Sequence, residues 1–420
     1  MKHPNLEQKI EPIMPNAMEL LRDLVKTRGK EIDDWFKTII DKTPPFFYNS
    51  VDLRNSGFKL APVDTNLFPA GFNNLNGGEK TKAVNAAKEF FRLYHPKVQK
   101  ILLVTEDHTR NTYYLDNIVN LIEILEATGR QIEISNISTT NSGENLILQS
   151  RSGQDLVFKP MITKGEIIQT TEGFIPDLVI VNNDLSDGIP EFLSNIVQPF
   201  SPPISMGWHQ RRKTSHFETY NNMARDFCNK FGIDPWLITT YFQRCGVVNF
   251  KEKTGLECLA VNIEKVLSRI RLKYEEYGIK EEPYVFIKSD RGTYGMGIMT
   301  AKSGSEIFDM GKNAIKKMNF IKGGLENTEV IIQEGIPTID RVEENPAEPM
   351  IYLVGGEPVG CMYRLNTKKD SYENLNASGM GFVSIKHHSS DHTLCNSLGL
   401  IAKLASHAAA WECYDLSYSI

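Results

Sequence analysis

Strand-like and helical patterns alternate between residues 100 and 185, and this alternation limits the fold more than any other feature of the sequence. The apolar run ILLVTED is followed by apolar residues at helical spacing up to Leu125, and then by Gly129, which is typical of a helix C-cap. Two more strand patterns, IEISNIS and PDLVIVNNDL, complete the alternation. Strand–helix–strand order predicts a parallel sheet covered by helices. We therefore interpret residues 96–205 as one doubly wound, Rossmann-like unit.

The regions on either side of this unit differ from it. The first 50 residues are predicted to be helical, with Asn16 and Glu19 at the spacing of a capping box. The segment 51–75 is rich in Asn, Gly and Pro but also in residues that are usually buried. Beyond residue 205 come a long helix pattern ending at Gly278, several short strands and an Ala-rich helix near 396–411. The chain is thus predicted to be an α/β protein with three parts, residues 1–95, 96–205 and 206–420.

The charge balance argues against two classes of partner. The 420 residues include 47 Lys and Arg against 52 Asp and Glu, which gives a net charge of −5. A chain of this kind has no basic footprint for nucleic acid and no polybasic segment for an anionic membrane. No apolar run approaches the roughly 18 residues that a membrane span requires, and the start lacks a signal-peptide pattern. We expect a cytoplasmic protein that acts on small molecules, and a homo-oligomer stays possible.

The sharpest local motif is YVFIKSDRGTYGMGIM, in which an apolar strand runs into a glycine-rich turn. Glycines let backbone N–H groups close around phosphate oxygens, and a lysine on the strand adds a fixed positive charge. The motif therefore predicts a nucleotide-phosphate loop. A glycine-rich hairpin with a solvated lysine explains the same pattern equally well. The candidate cofactor-binding residues here are Lys288, Arg291, Gly292, Gly295 and Gly297.

Two later segments suit a nucleotide site. The strand EVIIQEGIPT ends in Gln333 and Glu334, where a hinge backbone could hydrogen-bond an adenine edge, although most such strands are only core. Further on, a hairpin returns to Arg364 and leads into a polar stretch that includes Asn374. A flexible polar segment beside a phosphate site is what a closing lid needs. We therefore predict a lid over residues 365–381.

Three weaker groups have simple explanations. Arg211, Arg212 and Lys213 form a basic run that is usually solvated surface, although beside a site for anions it could steer them. The six cysteines are scattered without a C-x-x-C pair, which predicts reduced thiols. A histidine cluster matches no tetrahedral zinc spacing, so a solvated loop is favoured there; its members are His387, His388, Asp391 and His392.

The order of the phosphate-loop strand, hinge strand, Arg-bearing strand and Asn/Gly lid resembles the ATP-grasp carboxylate–amine ligases, glutathione synthetases in particular. The resemblance implies that Lys288 and the loop from Gly292 to Gly297 hold the ATP phosphates, and that Arg364 meets the acylphosphate region. One departure is clear. Many ATP-grasp domains finish with an acidic-x-Asn strand that binds magnesium, and nothing after Leu398 matches it.

The missing strand has a counterpart near the start of the chain. LRNSGFKLAPVDTNLFPAGFNNL resembles the part of eukaryotic-type glutathione synthetases that circular permutation has moved forward. The resemblance implies that Asp64 and Asn66, with Asp290, bind magnesium, and that Arg54 and Lys59 meet a substrate carboxylate. Oxygen ligands two residues apart on an extended segment do face the same side. From the residues alone, an Asx-turn is favoured at Asp64 and Asn66.

Over its whole length the chain is similar to the proteobacterial glutamate–cysteine ligase family of ATP-grasp architecture. The likeness is carried by residues 51–75, 205–220, 285–298 and 350–383. It implies ATP- and Mg²⁺-dependent joining of L-glutamate to L-cysteine through an acylphosphate, with Arg54, Lys59, Arg364 and Asn374 around the substrates. A glutathione synthetase or another amino-acid ligase would fit the same pattern, and a nucleotide-binding regulator without catalysis is the alternative from a different class.

Overall fold

The predicted mixed α/β class with a parallel-sheet unit is confirmed by a computed structural model of the chain. The prediction of three parts, with boundaries at residues 95 and 205, stays a prediction. The structure describes residues 16–107, 110–140, 143–292, 297–319, 327–385 and 393–417.

The helices begin and end where the sequence has capping residues. The Oδ1 atom of Asn16 accepts a hydrogen bond from the Glu19 N–H, as the capping-box spacing predicts. The long helix of the third part ends before Gly278, whose φ of 65° suits a residue without Cβ. The α-helices are α1 (Ala17–Ile40), α2 (Gly77–Tyr94), α3 (Thr112–Glu126), α4 (Lys213–Phe231), α5 (Leu256–Glu276), α6 (Lys312–Asn319) and α7 (Leu394–Ser417).

The strands coincide with the apolar runs of the sequence. They are β1 (Tyr48–Asn55), β2 (Leu60–Asn66), β3 (Lys100–Thr105), β4 (Gln131–Asn136), β5 (Leu146–Gln149), β6 (Asp155–Phe158), β7 (Met161–Lys164), β8 (Ile167–Thr170), β9 (Leu178–Asn182), β10 (Phe200–Ser201), β11 (Phe242–Cys245), β12 (Val285–Ser289), β13 (Ile298–Ala301), β14 (Val330–Glu334), β15 (Arg341–Val342), β16 (Asn345–Val354), β17 (Glu357–Asn366) and β18 (Met380–Ser384).

The doubly wound unit contains the predicted parallel sheet. Its strand order is β10-β9-β3-β4-β6-β5, with parallel pairing throughout except at the β5 edge. The central strands β3 and β9 are almost completely buried, as continuous apolar runs require when both faces of a sheet are covered. Apolar side chains of α2 and α3 pack in one core with those of β3 and β9.

The N-terminal strands belong to a sheet built mostly from the last third of the chain. This antiparallel sheet has the order β18-β17-β16-β1-β2, in which Val51 pairs with Ile351 and Asp52 with both Met350 and Asp64. A second antiparallel sheet, β11-β14-β12-β13, contains the predicted phosphate-loop and hinge strands. Pairing of residues about 300 positions apart therefore brings the front segment beside the third part, as the permuted resemblance implies.

The last helix holds these layers together. Helix α7 packs against α1, α4 and the strands β1 and β2, and its Ala-rich face allows close approach.

No helix in the described residues is long and apolar enough to cross a membrane. All six cysteines fall within the described ranges, and no disulfide joins them.

Buried His407 on α7 makes the free energy of unfolding decrease at acidic pH. Neither of its ring nitrogens has a hydrogen-bond partner, and burial, with Lys403 nearby, lowers its pKa from 6.5 to about 3. Below pH 6.5 the His407 side chain of the unfolded chain is protonated, whereas that of the folded chain stays neutral down to about pH 3. The free energy of unfolding therefore decreases as the pH falls below 6.5. We expect this one residue to remove about 2 kcal/mol of the free energy of unfolding between pH 7 and pH 5.

Urea unfolding of the wild type and of His407→Gln at pH 7 and pH 5 measures the contribution of His407 to the free energy of unfolding. Other titrating groups act on both proteins alike, so the variant should lose about 2 kcal/mol less than the wild type over the same interval. Equal losses in the two proteins would show that His407 does not carry the effect.

Candidate active site

One cleft lies between the two antiparallel sheets and brings the front segment to the phosphate-loop strand. The Lys288 Nζ donates to the backbone oxygen of Val63, at 3.1 Å, so the two sheets touch at this point. Asp64 and Lys288 both line the cleft. The lining residues are Asp52, Arg54, Val63, Asp64, Lys213, Phe286, Lys288, Ser289, Gly292, Ile298, Glu348, Asn374 and Asn376.

Lys288 is a buried cation held by neutral partners. Besides Val63, its Nζ donates to the Gln333 Oε1 at 2.9 Å, and the residue is 8% exposed. Burial lowers the pKa of Lys288 to about 8, against the opposing pull of the Asp64 carboxylate. A desolvated ammonium of this kind interacts strongly with any anion that enters the cleft.

The two strands that flank the phosphate-loop motif, β12 and β13, are antiparallel neighbours. Lys288 of β12 pairs with Ile298 of β13, and Gly292 and Gly297 both have positive φ, 90° and 60°. Such backbone suits a turn that presents N–H groups to a ligand. The predicted contact at Gly295 lies outside the described residues. The same holds for the histidine cluster at 387–392.

Asp64 faces the cleft from β2. Its side chain is 31% exposed, and the Lys213 Nζ lies 3.5 Å from its Oδ1. Burial works to raise the pKa of Asp64, but Lys213 and Lys288 hold it below its ordinary value, so the group is a carboxylate at neutral pH. Two residues further on, the Asn66 Oδ1 accepts a hydrogen bond from the Phe68 N–H at 3.0 Å. Asn66 therefore forms the Asx-turn that the residues alone favoured.

Asp290 does not suit the metal role that the resemblance implied. It has no exposed surface, and its two carboxylate oxygens accept the Thr214 N–H and Oγ1–H, each at 2.8 Å. Thr214 is in the first turn of α4, so the carboxylate caps that helix from outside it. Arg291 donates to the backbone oxygen of His209 and lies near Glu329. We therefore leave Asp290 out of the metal site.

The predicted substrate arginines hold carboxylates and the lid. Arg364 forms a bidentate pair with Asp52, at 2.6 and 3.0 Å, and also contacts Glu348 at 2.9 Å. Arg54 binds Glu348 at 2.7 Å and donates to the backbone oxygens of Ser371 and Glu373 in the predicted lid. Both guanidinium groups are therefore held in place. Arg54 connects the predicted lid to Glu348 in the cleft lining.

Lys59 and Glu334 form a buried pair away from the cleft lining. Lys59 is 0% exposed, its Nζ is 2.7 Å from the Glu334 Oε1, and it lies over the Trp236 ring. Glu334 also accepts the Trp236 Nε1–H and the Tyr241 N–H. The expectation that Lys59 meets a substrate does not fit this position, because Lys59 has no exposed surface and is not among the residues that line the cleft. The Glu334 side chain is likewise engaged, while Gln333 serves to hold Lys288.

The basic run contains a cleft residue that sequence reasoning treated as surface. Lys213 is buried, donates to the Gly292 backbone oxygen at 2.9 Å and lies 3.8 Å from the centre of the Trp208 ring. Arg211 is 2% exposed, and Arg212 pairs with Glu329. The solvated-surface interpretation is wrong for Arg211 and Lys213, and the alternative, that the run lies beside a site for anions, fits the position of Lys213 in the cleft lining. The neighbouring tryptophan in WHQRRKT was the one available signal, since aromatic rings often cover buried cations.

The cleft is suited to a polyphosphate with a divalent cation. It presents the two ammonium groups of Lys213 and Lys288 and the hard oxygen donor Asp64, with Gly292 of the phosphate loop in the lining. Carboxylate oxygens are what Mg²⁺ prefers, usually one or two per site together with phosphate and water. Within the described ranges, no group of three or more His, Cys, Asp or Glu residues is placed as a self-sufficient metal site. One carboxylate, Asp64, therefore fits a Mg²⁺ ion whose other ligands are phosphate oxygens and water.

One solved structure has the same organisation as this chain along its whole length. A solved structure from Methylobacillus flagellatus KT, provisionally assigned as a γ-glutamylcysteine synthetase, shares 36% identity over 99% of this chain and 100% of that one, with a TM-score of 0.87. A D-alanyl-alanine synthetase A from Vibrio cholerae O1 biovar eltor str. N16961 is 11% identical, over 70% of this chain and 72% of that one, with a TM-score of 0.30.

A third structure, a glutathione synthetase-like effector from Globodera pallida, is 10% identical over 84% of this chain and 81% of that one, with a TM-score of 0.38. A search of curated proteins gave no match. The glutamate–cysteine ligase family (GshA) matches residues 22–413. The family expected from the sequence is thus confirmed, and the chain belongs to the glutamate–cysteine ligase family, a family of ligases.

Proposed function

We propose that this ATP-grasp ligase joins the γ-carboxylate of L-glutamate to the amine of L-cysteine, giving γ-glutamylcysteine, ADP and phosphate through an acylphosphate. The observation that carries the proposal is the shared cleft of Asp64 and Lys288. Phosphoryl transfer depends mostly on positioning and electrostatic stabilisation, and this cleft offers both. The partners are small molecules, and the need for ATP and reduced cysteine favours the cytoplasm.

Asp64 is the proposed carboxylate ligand of Mg²⁺. It is ionised, part-exposed and directly opposite Asp52 in the β1–β2 pair. The second lone pair of the Asn66 amide oxygen is available to a ligand, because its Asx-turn uses only one. When bound, Mg²⁺ would neutralise phosphate charge.

Lys288 and Lys213 are the proposed phosphate-binding cations. They approach the cleft from different elements, β12 and the start of α4, and both are oriented by backbone oxygens. Their charges would stabilise the phosphate oxygens as the γ-carboxylate of glutamate attacks. Because both ammonium groups are fixed before the ligand arrives, little reorganisation is needed during the reaction.

Arg364, Arg54 and Asn374 are proposed for the amino-acid side of the cleft. Arg364 pairs with Asp52 and Glu348 of the cleft lining, and its positive charge would act from behind them on the oxyanion that forms when the cysteine amine attacks the acylphosphate carbonyl. Arg54 would orient a substrate carboxylate while it holds the lid at Ser371 and Glu373. Lid closure excludes water that would hydrolyse the intermediate.

Mass spectrometry of the products tests the reaction. With ATP and Mg²⁺, glutamate and cysteine together should give γ-glutamylcysteine, and ¹⁸O from the γ-carboxylate should appear in the released phosphate. Each amino acid offered alone, and γ-glutamylcysteine offered with glycine, serve as controls. Product only with glycine would assign a glutathione synthetase, while ATP binding without any ADP release would assign a regulator.

The lid gives a further prediction. Trypsin should cleave after Lys368 and Lys369 more slowly when ATP and both amino acids are present, because the closed lid is anchored through Arg54. Arg54→Met removes the hydrogen bonds to Ser371 and Glu373, so we expect cleavage at least several times faster.

Cleavage after Lys164, the exposed last residue of β7 before its turn to β8, is the internal control and should not change. If both sites accelerate in Arg54→Met, the variant has lost global stability. If neither the ligands nor the substitution changes cleavage at the lid, closure over the cleft is wrong.

A further inference from the structure

Four buried polar residues lie directly behind the strand segment that carries Asp64. They are Thr65 of β2, Arg211 just before α4, His216 of α4 and Glu412 of α7, and none is more than 2% exposed. We refer to these four residues as the Glu412 network. The reaction proposed above uses none of them.

The network holds both the main chain and the side chain of Thr65. The Arg211 Nη1 donates to the Thr65 backbone oxygen at 2.8 Å, and the His216 Nε2 meets the Thr65 Oγ1 at 2.8 Å. At the other end, Arg211 donates from Nε and Nη2 to the Glu412 carboxylate at 3.1 to 3.2 Å. The His216 Nδ1 lies 3.3 Å from the same carboxylate.

The position of Thr65 explains why these hydrogen bonds affect Asp64 and Asn66. Successive side chains on a strand point to opposite faces, so Asp64 and Asn66 share one face and Thr65 points to the other. The burial follows this alternation, because Thr65 is buried while its two neighbours are partly exposed. Holding Thr65 from behind therefore fixes the direction in which both oxygen ligands point.

Strand β2 needs such support because it is at the end of its sheet. In the described part of the chain it pairs with β1 on one side and has no strand partner on the other. An edge strand has open carbonyl groups and is free to shift by fractions of an ångström. The Arg211 guanidinium binds one backbone oxygen of this strand, that of Thr65, and the His216 ring holds the Thr65 side chain.

We propose that the Glu412 network positions Asp64 and Asn66 for the divalent cation, an inference that rests on the metal role proposed above. Its members are positioning residues, because they act through Thr65 and do not touch the cation. The network links the last helix to the metal segment across almost 350 residues of sequence. Outer partners of this kind commonly change metal affinity by 10- to 100-fold, by fixing the ligands they contact.

Electrostatics keep the network rigid. Burial works to raise the pKa of Glu412, but the Arg211 guanidinium and His216 hold it below its ordinary value. The group is therefore a buried carboxylate with charged or polar partners on both oxygens. An arrangement of this kind has one favourable geometry, because any displacement leaves a buried charge unpaired.

Thr65→Val is the sharpest test, since it removes one hydroxyl and keeps the branched shape. Mn²⁺ binding is measured by electron paramagnetic resonance in the presence of a non-hydrolysable ATP analogue. We expect the Mn²⁺ dissociation constant to rise about tenfold in Thr65→Val and to return near the wild-type value in Thr65→Ser. Glu412→Gln, which weakens the far end of the network, should raise the constant in the same direction.

Tyr220→Phe is the matched control on the same helix. It removes a buried hydroxyl that donates to the Ile238 backbone oxygen, at 2.8 Å and away from Thr65. If Thr65→Val and Tyr220→Phe both lower the melting temperature and leave Mn²⁺ affinity unchanged, the network is only structural and the inference is wrong.

Asp64→Asn in the same assay separates this inference from the function on which it rests. If Asp64→Asn binds Mn²⁺ as the wild type does, the proposed metal site itself is wrong. If Asp64→Asn weakens binding and neither Thr65→Val nor Glu412→Gln does, the metal site stands and the positioning role is overturned. Weakening in all three variants, with recovery in Thr65→Ser, supports the inference.

Discussion

Lys288→Met is expected to lower kcat/KM for ATP by about 10²- to 10³-fold while the protein stays folded. The substitution keeps the length of the side chain and removes the charge. Loss of a single pre-oriented group that stabilises transition-state charge commonly has an effect of this size. The effect should be large here because the Lys288 ammonium is desolvated and so acts on phosphate through a low dielectric.

Stability should change little in Lys288→Met. The partners that lose a donor, Val63 and Gln333, are neutral oxygens, and no carboxylate is left unpaired by a direct contact. Removing a charge whose pKa is lowered by burial also removes its desolvation cost. We therefore expect the melting temperature to stay within a few degrees of the wild type.

Lys403→Met is the matched control. Lys403 is also largely buried, but it pairs with Glu357, the first residue of β17, and is not part of the cleft lining. Steady-state kinetics and thermal melting on both variants decide the matter. A kcat/KM in Lys288→Met within twofold of that in Lys403→Met would remove Lys288 from the proposed phosphate site.

The sequence was most informative where structure is local. The buried strands β3 and β9 follow from their apolar runs, and the ends of α1 and α5 follow from Asn16 and Gly278, because caps and burial patterns depend on nearby residues. The pairing of β1 with β16 could not be derived in this way. No local pattern specifies register between strands about 300 residues apart, and only the resemblance to permuted enzymes indicated it.

The candidate site shows the same limit at the level of single charges. A sequence shows that Lys59, Lys213 and Lys288 are cations, but not what each one faces. Lys59 proves to be neutralised by Glu334, while Lys213, taken for solvated surface, is in the cleft beside Asp64. Partners contributed by distant segments decide between these outcomes, so the assignments from sequence alone could not separate them.

Comparing Lys59 with Lys288 shows why a lowered pKa is not by itself a mark of function. Burial lowers the pKa of both lysines to about 8. Lys288 faces an open cleft with neutral partners, whereas Lys59 has a carboxylate 2.7 Å away and no exposed surface. The first arrangement leaves the charge available to a ligand, and the second uses it within the fold.

Lys59→Met is therefore expected to lower the free energy of unfolding by about 3–5 kcal/mol, since it leaves the Glu334 carboxylate buried without its cation. Removing both charges in Lys59→Met/Glu334→Gln should recover most of that loss, because the uncompensated charge is then gone. Urea unfolding of the wild type, both single variants and the double variant gives the coupling between the two residues.

Kinetics on the folded fraction then separate the two roles considered for Lys59. If it only joins the segment just before β2 to the hinge strand β14, KM for glutamate and cysteine should stay within a few-fold of the wild type in the double variant. A rise of 100-fold or more in either KM, with no loss of stability in Lys59→Met, would return Lys59 to the substrate site. That result would also mean that the Lys59–Glu334 pair opens when substrates bind, because no substrate can reach a side chain with no exposed surface in the closed arrangement.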